Sequence, residues 1–249
     1  MARLQNKVAI ITGAGSGMGE ATALTFAQQG AKVVATDINT EAVEAVVARI
    51  KEAGGEAIAV SHNVAARADW ENVFAQAIEA FGAVNILVNN AGISLATPFN
   101  EQTEAMWDKV YNINIDSVML GMQLAVQHME ENGGSIVNIS STAALTGMAG
   151  AGAYTASKGA VSAITRAAAV DFGKKNIRVN AINPGYIVTP MSAPHMENPQ
   201  YKAHFLNGIA LPELGTAQNI ADTVVFLASD EAAHISGVNL AVDGGMTIK

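Results

Sequence analysis

The chain has 249 residues, of which 50% are hydrophobic and only 14% are charged, so it has ample apolar material for a buried core and no compositional sign of disorder. Fourteen Lys and Arg against 22 Asp and Glu give a formal net charge of -8, and no basic run is present, which argues against a nucleic-acid partner. No apolar stretch reaches the roughly 18 residues of a membrane span, no signal peptide is seen at the start and no cysteine occurs, so we expect a cytoplasmic protein without a membrane partner.

Short β-branched runs alternate with helical stripes along the chain. Strands are predicted at 8–12, 32–36, 57–60, 85–88, 135–139, 177–182 and 238–242, and helices at about 17–29, 43–50, 70–81, 104–129 and 153–172. Strands this apolar, linked by helices, are typical of a parallel sheet that is covered on both faces. We therefore predict an α/β, Rossmann-like, doubly wound sheet of about seven strands.

Nothing in the chain marks a domain boundary, because it holds no repeat, low-complexity tract or Pro/Ser-rich linker. Residues 1–249 are therefore predicted to form a single dinucleotide-binding and catalytic domain. Five of the six prolines fall within 184–212, which is the one irregular segment. Such a segment favours a substrate loop or lid over a site.

A glycine-rich loop joins the first strand to the first helix. Its sequence, Thr12-Gly-Ala-Gly-Ser-Gly-Met-Gly19, lets the backbone approach a pyrophosphate held at the helix N-terminus. Asp37 follows the second strand, 18 residues beyond Gly19, where a dinucleotide site has an acid for the adenosine ribose. Taken alone, the loop could be a tight turn and Asp37 a helix cap. Together, without a nearby Arg for a 2′-phosphate, they predict binding of NAD.

Tyr154 and Lys158 lie four residues apart near the start of a predicted helix, so both side chains share one face. A free Tyr has a pKa of about 10, too high for proton transfer near neutrality. An ammonium ~5 Å away, at an effective dielectric constant near 20, contributes about 3 kcal/mol, or roughly two pKa units. We therefore expect a lowered Tyr154 pKa, although many helices carry such a pair without function.

Six short motifs occur in a fixed order along the chain. They are TGAGSGMG, NNAG at 89–92, ISS ending at Ser141, YTASK at 154–158, NPG at 183–185 and VDGG at 242–245. In this order and spacing the chain resembles the classical short-chain dehydrogenase/reductase family over essentially its whole length. The resemblance implies an NAD(H)-dependent enzyme that moves a hydride between nicotinamide and a small-molecule alcohol or ketone. It also implies a homotetramer.

The resemblance assigns four catalytic residues. Tyr154 becomes the general acid/base, and Lys158 holds the nicotinamide ribose and lowers the Tyr154 pKa. Ser141 hydrogen-bonds the substrate oxygen. Asn114 holds a water in a proton relay to Lys158, whereas the nearby Asn112 is assigned to structure.

The resemblance also assigns the cofactor site. Asn63 stands where the family usually has an Asp that contacts the adenine amine; its amide oxygen can accept the same hydrogen bond, and the alternative is a strand-end turn residue. The cofactor-binding residues implied are Gly13, Ser16, Gly17, Met18, Gly19, Asp37, Ile38, Asn63, Val64, Asn90, Ala91, Gly92, Tyr154, Lys158, Pro184, Gly185, Ile187 and Thr189.

The histidines and methionines give weaker signals. The histidines, at 62, 128, 195, 204 and 234, lack metal-ligand spacing, so no metal site is predicted and each is assigned to surface or packing. Among them, His195 in the Pro-rich segment is the candidate for a substrate contact. Met148, Met191 and Met196 could line an adaptable apolar pocket, with core or lid packing as the preferred alternative.

Two other functions stay open on the sequence. A 3-oxoacyl carrier-protein reductase needs basic residues near the site mouth; Glu130, Glu131 and Asp37 argue against it, whereas Lys174 and Lys175 favour it. A non-catalytic dinucleotide-binding scaffold would keep the fold but has no need of the complete catalytic set.

Overall fold

A computed structural model describes residues 2–190, 192–193 and 198–249 of the chain. Its strands are β1 (Val8–Thr12), β2 (Lys32–Asp37), β3 (Ala57–Ser61), β4 (Ile86–Asn89), β5 (Gly134–Ile139), β6 (Ile177–Pro184), β7 (Ile187–Val188), β8 (Gly215–Thr216) and β9 (Asn239–Val242). Seven of them form one sheet in the order β3-β2-β1-β4-β5-β6-β9, and every neighbouring pair is parallel. The predicted doubly wound sheet is confirmed.

Helices cover both faces of this sheet. They are α1 (Gly17–Gln28), α2 (Thr40–Glu52), α3 (Arg67–Phe81), α4 (Glu104–Tyr111), α5 (Ser117–Met129), α6 (Gly152–Gly173), α7 (Pro199–Asn207) and α8 (Ala217–Ala228). None of the helices within the described ranges has both the length and the apolar content that crossing a bilayer requires.

The alternation of side chains along β1 builds two cores. Val8 and Ile10 pack on one face with Trp70 of α3. Ala9 and Ile11 pack on the other face with Phe26 of α1. Because successive side chains of a strand point to opposite faces, one apolar strand supplies both layers.

The strand order reverses between β1 and β4, because β2 and β3 extend the sheet to one side and β4 onward extend it to the other. In open parallel sheets, such a reversal leaves a crevice outside the carboxyl ends of the strands, and ligands bind there. The chain places its glycine-rich loop directly after β1, at this point.

The long helix predicted over 104–129 is interrupted in the structure. A π-helical segment, Asn112–Asp116, separates α4 from α5. Such a segment adds one residue to a turn and is frequent at functional sites. Asn114, within this segment, is fully buried. The sequence does not reveal the extra residue, because its apolar residues keep helical spacing throughout 104–129.

The described residues of 184–212 contain a strand and a helix that the sequence did not predict. β7 within it pairs with β8, and α7 packs on it through Phe205, whose ring centroid lies 4.2 Å from that of Tyr186. The predictions made for Met191, His195 and Met196 lie outside the described residues. Met148 is 49% exposed, which excludes it from the core.

Candidate active site

A cleft of about 270 Å³ lies at the carboxyl ends of β1, β2, β3 and β4. Twelve of the predicted cofactor residues line it: Gly13, Ser16, Gly17, Met18, Asp37, Ile38, Asn63, Val64, Asn90, Ala91, Gly92 and Thr189. Gly19, Tyr154, Lys158, Pro184, Gly185 and Ile187 are outside this lining. His62, Ile93, Ile113 and Pro190 line the cleft without having been predicted.

The glycine-rich loop is tight enough to require its glycines. Gly13 and Gly17 have positive φ values of 64° and 59°, and a Cβ on Gly19 would lie 2.0 Å from the Gly13 carbonyl oxygen. Ser16, the N-cap of α1, makes no side-chain capping bond. The first-turn amides of α1 can therefore serve an anion, which fits the pyrophosphate of a dinucleotide.

Asn90 fixes the loop to the end of β4. Its Nδ2 donates to the carbonyl oxygens of Thr12 at 2.8 Å and Gly13 at 3.1 Å. In return, the Thr12 hydroxyl accepts from the backbone amides of Asn90 and Ala91, both at 3.0 Å. The Asn90 side chain thus braces the loop backbone.

Asp37 closes the next part of the cleft. Its Oδ2 accepts from the Gly15 amide and its Oδ1 from the Asn39 amide, each at 2.9 Å. A carboxylate has about four acceptor positions, so two remain for ribose hydroxyls. The described lining of the cleft contains no Lys or Arg. The site therefore presents an uncompensated negative charge where the ribose would lie.

Asn63 lies in a turn after β3. Its Oδ1 accepts from the Ala65 amide at 3.1 Å, while its own amide donates to Asp69 at 2.8 Å. This is the local geometry of the turn alternative, although the second lone pair of the oxygen is still available to a ligand.

His62 is a cleft residue that the sequence reasoning assigned to surface or packing. It is 2% exposed, its Nδ1 lies 2.9 Å from the Thr36 hydroxyl, and its ring meets Trp70 edge-on at 4.4 Å. Burial lowers the pKa of His62 to about 4, although Asp69 and Asp37 act in the opposite direction. A sequence signal existed, because His62 directly precedes the predicted cofactor residue Asn63 and lies two residues beyond the strand predicted at 57–60.

Acid should therefore weaken the fold through His62. The pKa is about 4 in the folded chain and near 6.5 when unfolded, so between these values the unfolded state binds more protons and stability falls as pH falls. We expect the loss attributable to His62 between pH 7 and pH 4.5 to be about 2 kcal/mol. Urea unfolding of wild type and His62→Phe at both pH values measures it, with the exposed His234→Gln as control. An equal pH dependence in all three proteins would contradict the expectation.

The proposed catalytic pair lies on the first turns of α6. Lys158 is 5% exposed, and its Nζ is 5.8 Å from the centroid of the Tyr154 ring. The same Nζ donates to the Ile139 carbonyl oxygen, at the end of β5, at 2.8 Å. A Cβ on Gly92 would lie 3.3 Å from this Nζ and also 3.3 Å from Asn114 Oδ1. The ammonium therefore borders the cleft at a wall that only glycine fits without crowding.

Asn114 is held by three hydrogen bonds. Its Oδ1 accepts from the Ile93 amide at 2.9 Å, and its Nδ2 donates to the Ile93 carbonyl at 2.9 Å and to Ser157 Oγ at 3.0 Å. The π-helical segment presents this side chain to the loop after β4 and to α6. Asn114 thus joins the cleft wall to the helix that carries Tyr154 and Lys158.

Ser141 follows β5 and faces the same helix. Its Oγ accepts from the Ala143 amide at 3.1 Å, and its carbonyl accepts from Asn183 Nδ2 at 3.0 Å. The Asn183 bond fixes the carboxyl end of β6 to the serine turn. Asn114, Ser141, Tyr154 and Lys158 are therefore brought together at one edge of the sheet.

The expected lowering of the Tyr154 pKa is wrong for this geometry. Burial raises the pKa of the phenol because the phenolate loses hydration, while the hydrogen bond with Ser141 acts in the lowering direction. Burial also lowers the pKa of Lys158 to about 8, so the amine is still largely protonated at pH 7. Distance alone predicted an attraction between the two groups; the burial that raises the pKa of Tyr154 depends on the fold.

Of the five charged residues weighed for or against a carrier-protein substrate, only Asp37 lines the cleft. Glu130 and Lys175 form a salt bridge. Glu130 lies just before β5 and Lys175 just before β6, so both are at the amino end of the sheet. The cleft and Ser141 are at the carboxyl end. Neither the acids at 130 and 131 nor the lysines at 174 and 175 therefore lie at the site mouth, and the prediction that used these four charges was wrong.

Comparison with known proteins gives consistent relatives. The family model described as "Enoyl-(Acyl carrier protein) reductase" matches residues 13–247. The 2,5-dichloro-2,5-cyclohexadiene-1,4-diol dehydrogenase LinX of Sphingobium indicum is 41% identical over 247 residues, covering 99% of this chain and 98% of the relative. Cyclohexanol dehydrogenase of Acinetobacter sp. is 39% identical over 249 residues, covering 99% and 97%.

A solved structure agrees in fold as well as in sequence. It is a 7 alpha-hydroxysteroid dehydrogenase complexed with NADH and 7-oxo glycochenodeoxycholic acid. The TM-score is 0.95 at 40% identity, and the match covers 98% of this chain and 95% of the other.

Proposed function

Because the chain belongs to the short-chain dehydrogenase/reductase family, we propose that it is an NAD-dependent oxidoreductase that moves a hydride between nicotinamide and a secondary alcohol or its ketone. The observation that carries the proposal is the grouping of Tyr154, Lys158, Ser141 and Asn114 beside a cleft that fits a dinucleotide. Bound NAD would supply the hydride acceptor, and NADH the donor.

The side chains divide the proton chemistry between them. Ser141 donates to the substrate oxygen, and the Tyr154 hydroxyl gives that oxygen a proton in reduction or takes it in oxidation. The Lys158 ammonium favours the phenolate electrostatically and binds the nicotinamide ribose. Asn114, anchored at Ile93 and Ser157, holds the water that passes the proton to Lys158.

The cofactor residues act mainly by position. Gly13, Ser16, Gly17, Met18 and Gly19 present the loop and the first turn of α1 to the pyrophosphate. Asp37 accepts from the adenosine ribose. The other proposed contacts are Ile38, Asn63, Val64, Asn90, Ala91, Gly92, Pro184, Gly185, Ile187 and Thr189.

The substrate is a small or medium uncharged alcohol or ketone. Leu145 and Met148, which follow Ser141, are 52% and 49% exposed, and Leu211, beyond α7, is 61% exposed. A carboxylate or phosphate substrate would normally need a paired cation, and 186–201 contains no Lys or Arg. The ring alcohols in the names of the relatives support the same class.

A substrate panel tests this assignment. We expect kcat/KM to be higher for simple cyclic and aliphatic ketones than for 3-oxoacyl thioesters and charged keto acids. NADH consumption followed by absorbance provides the measurement, and a ketone assayed without enzyme is the control. Faster turnover of thioesters or keto acids would contradict the assignment and favour the carrier-protein alternative or a keto-acid reductase. The name of the matching family model also refers to an acyl carrier protein.

Three further features are part of the proposal. Residues 184–212 form the substrate loop of one functional unit that spans 1–249, and the protein acts in the cytoplasm. It also assembles as a homotetramer. In support of this, Val170 on α6 is 79% exposed in the single chain, and an exposed apolar side chain is suited to a subunit interface. Light scattering at assay concentration should give four times the chain mass of 25.7 kDa, and a monomeric mass would contradict it.

A further inference from the structure

The helix that carries the proposed catalytic pair lacks a cap of its own. α6 begins at Gly152, and its N-cap residue is Ala151, which makes no side-chain capping bond. Ser, Thr, Asp or Asn usually occupies that position, because their side chains accept from the amides of the first turn. Tyr154 is the third residue of α6, so the backbone of the proposed proton donor lies within this uncapped turn.

Gln102, from a distant part of the chain, supplies the missing bond. Its Oε1 accepts from the Ala153 amide at 3.1 Å, across 51 residues of sequence. Ala153 is the second residue of α6, and its amide is one that an N-cap side chain normally binds. The Gln102 Nε2 donates to the Thr97 carbonyl at 2.8 Å. Each atom of the side-chain amide thus meets a partner of the opposite kind, which fixes its orientation.

The segment 97–102 holds the same turn at two further points. The Thr97 amide donates to the Gly150 carbonyl at 2.8 Å, just before α6 begins. A Cβ on Gly152 would lie 2.6 Å from Phe99 Cδ2 and 2.9 Å from Gln102 Oε1. The backbone of the first turn therefore packs directly on this segment, and the start of α6 is fixed from outside the helix.

The contact at Ala153 bears on the phenol more than on the ammonium. The Tyr154 carbonyl accepts from Ser157 Oγ at 2.7 Å, so the residues after the tyrosine are tied within α6. The peptide before the tyrosine is tied by Gln102 instead. The Lys158 ammonium has its own anchor, the carbonyl at the end of β5. Loss of the Gln102 bonds should therefore displace the Tyr154 ring while the ammonium stays in place.

We propose that Gln102 is a positioning residue, which caps α6 from outside and thereby holds the Tyr154 hydroxyl at the substrate oxygen; the inference rests on the proposed function. Gln102 is outside the described cleft lining, so it acts through Tyr154. Proton transfer requires the donor within hydrogen-bond reach of its acceptor, and a small misplacement slows it strongly. The rate of turnover should therefore depend on Gln102, whereas cofactor affinity should not.

Replacing Gln102 by Met tests the role, because Met has a similar length and can make neither bond. With NADH and the ketone of the panel that wild type reduces fastest, kcat should fall about tenfold, while NADH affinity stays within about twofold. Gln76→Met is the matched control, because Gln76 bonds Asn72 on α3 at 3.2 Å, outside the cleft lining, and should keep the wild-type kcat. Gln102→Glu, which keeps an acceptor for the Ala153 amide, should recover most of the lost rate.

A double-mutant cycle separates positioning from a general loss of structure. In the Tyr154→Phe background, Gln102→Met should change the residual rate by less than about twofold, because the group that it positions is already absent. If Gln102→Met fails to fold, Gln102→Asn takes its place in the cycle, since its amide is one methylene too short to reach Ala153.

Three results would overturn the role of Gln102. They are an unchanged kcat in Gln102→Met, the same loss of rate in both backgrounds, and a Gln102→Glu variant as slow as Gln102→Met. Each requires a wild type that is active, so it would leave the proposed function standing. A wild type that reduces no ketone of the panel with NADH would contradict the proposed function, and the role of Gln102 with it.

Discussion

Replacing Tyr154 by Phe should reduce turnover by roughly 10²- to 10⁴-fold, the range expected for loss of a general acid, while NADH affinity stays within about twofold of wild type. The substitution removes only the phenolic hydroxyl. It leaves the ring that faces Lys158 Nζ at 5.8 Å, and the Nζ keeps its bond to the Ile139 carbonyl. The fold should stay intact, because the Tyr154 side chain is buried and a phenyl ring of the same shape fits the same position. Steady-state kinetics and NADH fluorescence titration measure the two quantities separately.

Lys158→Ala provides the contrast for Tyr154→Phe. This change removes a buried ammonium that we propose acts on both the phenol and the ribose, so both kcat and NADH affinity should fall. If Tyr154→Phe kept more than about a tenth of the wild-type rate, the phenol would not be the proton donor. If it lost NADH binding to the same extent as Lys158→Ala, the separation of roles between the two side chains would be wrong.

Wild type should use NAD almost a thousandfold more efficiently than NADP. The Asp37 carboxylate would face the 2′-phosphate, and the described cleft lining contains no Lys or Arg to offset it. At ~4 Å and an effective dielectric constant near 20, one such repulsion costs about 4 kcal/mol. The ratio of the two kcat/KM values measures this difference.

Asp37→Asn is the informative variant for that preference. Its amide oxygen can still accept one of the two backbone bonds now made to Gly15 and Asn39, so the loop is disturbed less than by Ala. Without the charge, most of the discrimination against NADP should disappear. Equal efficiency with both cofactors in wild type, or an unchanged ratio in Asp37→Asn, would show that Asp37 does not set the preference.

The strands were largely predictable because they are apolar on both faces. The strand predicted at 8–12 is confirmed with the same ends. The strand predicted at 177–182 is two residues longer in the structure and ends at Pro184. The sequence predicted a helix over 104–129. It did not predict the π-helical segment at 112–116, because the helical spacing of apolar residues continues through that segment. The segment 184–212 was predicted as irregular from its prolines, whereas Pro199 occupies the first turn of α7, a position that suits proline.

The candidate site shows a similar division. The structure brings Asn114, Ser141, Tyr154 and Lys158 together beyond the carboxyl ends of the strands. The catalytic roles that the family resemblance assigns to them stay predictions. The pKa of Tyr154 was predicted in the wrong direction, since burial depends on side chains distant in sequence. The assignment of His62 to surface or packing is confirmed as packing, because the residue is buried against Trp70. Its place in the cleft lining was not predicted, since the contacts with Thr36 and Trp70 join residues that a local pattern does not connect.

Isotope transfer from substrate to cofactor tests whether this protein moves a hydride from a secondary alcohol to NAD. Purified protein would be incubated with NAD and cyclohexanol deuterated at the carbinol carbon, and the reduced cofactor analysed by mass spectrometry. We expect cyclohexanone and reduced nicotinamide carrying one deuterium, formed at least about a hundredfold more slowly by the Tyr154→Phe variant under the same conditions. Reduced cofactor without deuterium would contradict hydride transfer, and absence of reduction with every secondary alcohol of the panel would contradict the proposed enzyme.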